Sequence, residues 1–83
     1  MDELTAKLVD LVEVVVAPLI EVPDDLEVNG AAEGNAVRIE IAVNEEDAGK
    51  VIGRQGRIIK AIRTLTRAAA SRSDCTVDVE LID

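Results

Sequence analysis

The stretch Lys50-Val51-Ile52-Gly53-Arg54-Gln55-Gly56-Arg57 decides how this chain is read: two glycines bracket two polar residues, with apolar positions at helical spacing on both sides. Glycines at such a turn let the backbone bend sharply and come close to a ligand. The charge around the turn is equally uneven. Residues 50–72 hold seven of the nine basic residues and no acidic one, a local charge of +7, while the other sixty positions amount to −15. A chain of net charge −8 that gathers its positive charge around a glycine turn presents one anion-binding edge on a surface that otherwise repels anions.

Working outward, Asn44-Glu45-Glu46-Asp47 opens a short helix, with Asn44 as N-cap and three carboxylates at the positive end of its dipole. Three carboxylates can also hold a divalent metal, but their place in a first helical turn and the lack of a ligand-spaced loop point to capping. This helix runs to about Ile52 and ends at Gly53. A second helix covers about Arg57 to Ser71. Its apolar face is read as Ile58, Ala61, Ile62, Leu65, Ala68 and Ala69, with Lys60, Arg63 and Arg67 on the opposite side. For Arg63 and Arg67 a solvated helix face is the expectation. Arg57 and Lys60 sit at the positive end of that helix, where each cation costs about 0.3–1 kcal/mol at an exposed site. A bound phosphate chain would offset that cost.

Flanking the two helices, Val37, Ile39, Ile41 and Val43 alternate with Arg38, Glu40 and Ala42, and Val77, Val79 and Leu81 alternate with Asp78 and Glu80. Period two marks half-buried strands, and two intervening helices suit a crossover between parallel neighbours. Upstream, Leu4, Leu8, Leu11, Val12, Val15 and Leu19 predict a helix capped by Asp2, weakened by Val14-Val15-Val16 and kinked or stopped near Pro18. Pro23-Asp24-Asp25 is a turn. Leu26 and Val28 predict a short strand that breaks at Asn29-Gly30, followed by a loop containing Gly34-Asn35. The order α-β-β-α-α-β predicts an α+β two-layer sandwich, a three-stranded mixed sheet with three helices on one face.

The rest of the composition excludes more than it proposes. Eighty-three residues make one small domain, whose modest burial favours a second copy or a partner. Aromatic residues are absent, so the core is aliphatic. The longest apolar run, Val14 to Ile20, is too short for a bilayer, and a soluble cytoplasmic protein is expected, without membrane insertion. Cys75 is alone and there is no His, which removes a disulfide, a thiolate or imidazole metal site and the usual acid/base pairs. Cys75 is expected to be a buried structural thiol, and no enzyme, cofactor or metal is expected. The glycines form neither a phosphate-binding P-loop nor a dinucleotide fingerprint.

Val51-Ile52-Gly53-Arg54-Gln55-Gly56, followed by Ile58-Ile59-Lys60-Ala61-Ile62-Arg63, resembles the core motif of K-homology (KH) RNA-binding domains. With a helix and a strand before the strand-helix-helix-strand core, the chain is similar to the prokaryotic type II arrangement. The likeness extends over essentially the whole chain to small stand-alone bacterial KH proteins, and includes Asp47-Ala48-Gly49-Lys50 and Lys60-Ala61-Ile62-Arg63-Thr64. It implies a single KH domain over residues 1–83, with 1–35 an N-terminal extension, 36–83 the core and the Gly-x-x-Gly turn at 53–56. It implies further that the turn clamps about four single-stranded nucleotides between the helices and the sheet edge, the bases lying on an aliphatic groove. Gly53 and Gly56 then serve backbone approach, Arg54 and Gln55 contact backbone or base edges, and Lys50, Arg57 and Lys60 meet phosphates. Val51 and Ile52 either line the groove or are ordinary core.

One such site gives little contact area, and linked copies gain by effective concentration. The resemblance implies a homodimer, or a heterodimer with a larger KH protein of the KhpB (Jag/EloR) type. It also implies an RNA chaperone or post-transcriptional regulator connected with cell elongation, division and envelope (cell wall) homeostasis. The competing reading is an interaction module that docks its basic stretch on acidic protein, with RNA contact incidental.

Overall fold

A computed structural model describes residues 3–82 of the chain, so the Asp2 cap lies outside the described residues. The element order is α1 (Glu3–Val16), β1 (Glu27–Glu33), β2 (Ala36–Ala42), α2 (Ala48–Ile52), α3 (Arg57–Ala69) and β3 (Thr76–Ile82), joined in places by single 3-10 turns. The sheet order is β1-β2-β3. β1 pairs antiparallel with β2 through the two-residue turn Gly34-Asn35, and β2 pairs parallel with β3. The helices cover one face, so the α+β type II architecture stands.

Strict alternation decides which face is covered. Val37, Ile39 and Ile41 of β2 and Val77 and Val79 of β3 point into a core with Leu8, Val9, Val12 and Val16 of α1 and Ile59 and Ile62 of α3. Among the described residues no helix covers the opposite face. Glu27, Glu33, Glu40, Asp78 and Glu80 lie on it with Arg38, whose guanidinium donates to Glu80 Oε2 at 2.8 Å. The Glu80 hydrogen bond and charge, with Glu40 and Asp78 nearby, raise the Arg38 pKa above its usual value.

Several local expectations are corrected, three of them in the strands, α3 and Cys75. First, β1 does not break at Asn29-Gly30 but runs through it, and Leu26 lies outside the strand. A Cβ on Gly30 would stand 2.7 Å from both Thr5 Cγ2 and Val9 Cγ2. The glycine marks the point where α1 crosses the sheet at close range, a packing role that local turn statistics cannot distinguish from a loop.

Second, α3 ends at Ala69 and buries Ile59, Ile62 and Thr66, while Ala61, Leu65, Ala68 and Ala69 are exposed and Ile58 is half-buried. Thr66 takes a core position because its hydroxyl donates to Ile62 O at 3.1 Å and Arg63 O at 2.9 Å, satisfying itself on its own helix. Counted as polar, it hid the true stripe.

Third, Cys75 is only half-buried. The expected stop at Pro18 does hold: α1 ends at Val16 and continues as the 3-10 turn Ala17–Leu19.

Asp47 departs furthest from its expected role. Asn44 does cap, its Oδ1 accepting from Glu46 N–H at 2.9 Å, but the cap opens a 3-10 turn over Glu45–Asp47 ahead of α2. Asp47 then turns inward. Its Oδ1 accepts from Glu21 N–H at 3.0 Å and its Oδ2 from Val22 N–H at 2.9 Å, fastening the segment between α1 and β1 to the base of α2. The Glu21 N–H bond, and then those from Val22 and Lys50, hold the Asp47 carboxyl below the usual carboxylate range against the opposing effect of burial.

Candidate nucleic-acid interface

α2 has only five residues, and the turn after it is built on unusual backbone. Gly53 accepts the helix end at φ 77, ψ 173, its N–H donating to Gly49 O at 2.9 Å. Gln55 (φ 58, ψ 24) and Gly56 (φ 73, ψ 17) are both left-handed. Gly56 N–H closes the turn on Gly53 O at 3.1 Å. For a non-glycine residue such as Gln55, left-handed backbone costs about 1–2 kcal/mol. That strain aims its side chain outward from the tip, where Gln55 and Arg54 are both exposed. Gly56 offers α3 no side-chain cap, the Arg57 N–H donates to Arg54 O within the turn, and the positive end of the α3 dipole faces the turn.

The cations predicted for this site divide into two groups. Arg54, Arg57 and Lys60 are exposed and make no ion pair among the described residues; Arg57 reaches only Gln55 Oε1, at 3.4 Å. Lys50 is engaged elsewhere. Its ammonium lies 3.1 Å from Glu21 Oε1 and 3.3 Å from Asp47 Oδ1, and the Glu21 bond followed by Asp47 raises its pKa above the usual value. A phosphate would have to compete with two carboxylates for it.

The two apolar positions ahead of the turn also part ways. Val51 has 0% exposure and belongs to the core, so it positions the turn and is closed to a ligand. Ile52 is 41% exposed. One helical turn back from it, Ala48 lines a hollow of about 260 Å³ with Val43, Glu45 and Ile82, and Ile82 is itself 39% exposed. α2 and the end of β3 therefore each leave apolar surface open to solvent, at Ile52 and at Ile82.

Of the two residues assigned to a solvated face, Arg67 is exposed and Arg63 half-buried, and both also reach β3. Arg63 Nε donates to Val79 O at 3.1 Å, and Arg67 Nε reaches Val77 O at 3.5 Å. Their i, i+4 spacing opposite alternate strand residues was a usable signal, visible only once α3 is known to lie along β3. Among the described residues no helix is long and apolar enough to cross a membrane.

The sequence profile of the family described as KhpA/KhpB, KH domain, matches residues 9–81. Among curated proteins, the chain is 45% identical over 73 residues to the RNA-binding protein KhpA of Clostridium perfringens, covering 88% of this chain and 97% of that protein. It is 47% identical over 73 residues to the RNA-binding protein KhpA of Caldanaerobacter subterraneus, with the same coverage of 88% and 97%. To the RNA-binding protein KhpA of Listeria monocytogenes it is 38% identical over 74 residues, 89% of this chain and 97% of that one. No solved structure matches.

Proposed function

The chain belongs to the KhpA/KhpB family of KH domains, and from that premise we propose that it binds single-stranded RNA through the Gly53–Gly56 turn. The observation that carries the reading is the set Arg54, Arg57 and Lys60, three exposed cations without acidic partners among the described residues, around a glycine turn on a protein of net charge −8. Family membership adds that this is not an enzyme. Gly53 and Gly56 bring the backbone up to the strand, Arg54 and Gln55 meet backbone or base edges, and Arg57 and Lys60 take phosphates. Ile52 offers apolar surface to the bases. Lys50 joins only if a phosphate draws it from Glu21.

In the same reading residues 1–83 form one KH domain with its core at 36–83. It acts in the cytoplasm as an RNA chaperone or post-transcriptional regulator, paired with itself or with a KhpB (Jag/EloR)-type protein, in the control of cell elongation, division and envelope homeostasis. Pairing is supported by Ala61, Leu65 and Ala68 of α3, which leave an apolar stripe uncovered, with Leu65 47% exposed. Leu65→Asp is expected to leave the monomer folded and to shift sedimentation from dimer to monomer. A wild type that sediments as a monomer at micromolar concentration would dismiss self-pairing through α3.

RNA binding itself is tested with a labelled single-stranded pool across a salt series, comparing wild type with a folded Arg54→Asp, Gln55→Asp double variant. The expected result is wild-type affinity that falls as salt rises, and no measurable binding by the variant. If both bind alike, or neither binds, the clamp reading fails, and docking on an acidic protein partner becomes the reading to pursue.

A further inference from the structure

Building on the RNA-binding reading, we propose that Glu21 limits the affinity of the site: its carboxylate holds the Lys50 ammonium where a strand phosphate would otherwise take it, so RNA must displace one of the protein's own side chains to gain that cation.

Lys50 stands apart from the other cations near the turn. It lies in the last turn of α2, which ends at Gly53, and of the seven basic residues in 50–72 it alone is ion-paired among the described residues. Its ammonium is 3.1 Å from Glu21 Oε1 and 3.3 Å from Asp47 Oδ1. The two carboxylates differ in what else they do. Asp47 is needed by the fold, since it receives the backbone N–H groups of Glu21 and Val22. The Glu21 side chain is 81% exposed, and Lys50 is its one polar partner among the described residues.

The segment between α1 and β1 delivers Glu21 to this place. Ile20 enters the core, and from its extended backbone the next side chain turns the opposite way, to the surface. Asp47 Oδ1 accepts from Glu21 N–H at 3.0 Å and from Lys50 Nζ at 3.3 Å, so a single oxygen sets both partners of the contact beside each other. The contact is thus assembled by the fold, whereas an ordinary surface pair must order two long side chains for itself.

Charge decides the effect on binding. With two carboxylates and one ammonium this corner is net negative, and it repels a polyanion although it contains a lysine. A phosphate that takes Lys50 exchanges one anion for another and leaves the Glu21 carboxylate unpaired next to the strand. Lys50 therefore adds little to affinity and does not count among the phosphate contacts that set the salt dependence. With the single site held weak in this way, firm capture of a strand falls to linked copies.

The test uses a labelled eight-nucleotide single-stranded RNA pool of mixed sequence with wild type, Glu21→Gln, Lys50→Gln, the double variant of these two, and Glu33→Gln, which removes an equal charge at the far end of β1. Glu21→Gln keeps the backbone N–H that Asp47 binds, so its thermal melt should match wild type; melts accompany every protein. Glu21→Gln is expected to tighten binding about 3- to 5-fold, within reach of an exposed ion pair, and to steepen the slope of log K against log salt by about 0.7, one single-strand phosphate contact. Lys50→Gln should change little in the wild-type background and cancel the gain in the Glu21→Gln background, a coupling that a change of net charge alone does not produce. Should Lys50→Gln unfold, the slopes of Glu21→Gln and Glu33→Gln decide. With binding still abolished by Arg54→Asp, Gln55→Asp, the proposal is overturned if Glu21→Gln and Glu33→Gln bind alike, or if Lys50→Gln weakens binding equally in both backgrounds. If neither wild type nor Glu21→Gln binds, the RNA reading falls and this proposal with it.

Discussion

Replacing Asp47 by Ala is expected to lower the melting temperature by on the order of 10 °C, more than any other single surface or turn charge. The side chain is 1% exposed and receives two backbone N–H groups, from Glu21 and Val22. Removing it leaves both donors without their acceptor where water has little access, and in a domain this small each such loss moves the transition by several degrees. It also frees the Lys50 ammonium from one of its two anchors.

The acid limb gives the sign. Because the folded carboxyl titrates below its ordinary value, its stabilisation is complete above the usual carboxylate pKa of about 3.9 and is lost as pH falls through that value toward the folded one. Asp47→Asn, which cannot titrate, should therefore lie closest to wild type at the lowest pH and farthest from it at neutrality. Melting curves from pH 7 to pH 2.5 check this. A constant gap between the two curves across that range would rule out the carboxylate latch.

The two glycines of the turn are expected to respond very differently to the same methyl group. At Gly53 a Cβ would lie 2.6 Å from Ile58 Cγ1 and 2.9 Å from both Ile58 Cβ and Ile58 N, at φ 77 and ψ 173, a region almost closed to other residues. The obstruction includes backbone, so it cannot be relieved by a rotamer change. Gly53→Ala is expected to cost about 1–3 kcal/mol of stability, from the backbone strain alone, and to remove RNA binding, because α2 and α3 can no longer meet at the angle that presents Arg54 and Gln55. At Gly56 the nearest side-chain atom to an added Cβ is Lys60 Cε at 3.8 Å. There only the left-handed strain remains, about 1–2 kcal/mol, and binding should weaken rather than vanish. Urea unfolding and RNA titration of both variants decide it; equal losses at the two positions would mean that the clash at Ile58 does not set the turn.

How much of this could be read from residues alone depended on how local each cause was. β2 and β3 were legible because alternation is written into seven consecutive residues, and the turn was legible because Gly53 and Gly56 stand between two helical patterns. Asn29-Gly30 was misread because the reason for that glycine lies in Thr5 and Val9, more than twenty positions away, where no local pattern reaches. The same distance hid the partners of Asp47 and Lys50, since a carboxylate that binds the backbone of Glu21 and Val22 leaves no mark in the types of those residues. Val51 and Ile52 are adjacent apolar residues, and which of them enters the core is fixed by the rotation of α2 against the sheet. The face of α3 was displaced by one threonine whose hydroxyl is satisfied within its own helix.

The uncovered face of the sheet, with Glu27, Glu33, Glu40, Asp78 and Glu80 against a single Arg38 among the described residues, sets negative charge apart from the basic stretch around the turn and so gives the molecule an electric dipole. On the proposed reading, a polyanionic strand diffusing toward the acidic side is turned away, and one arriving from the other side is drawn in facing the turn. Charge laid out in this way governs the approach more than the grip: it raises the share of collisions that are productive, and that share shrinks as salt shortens the reach of the field.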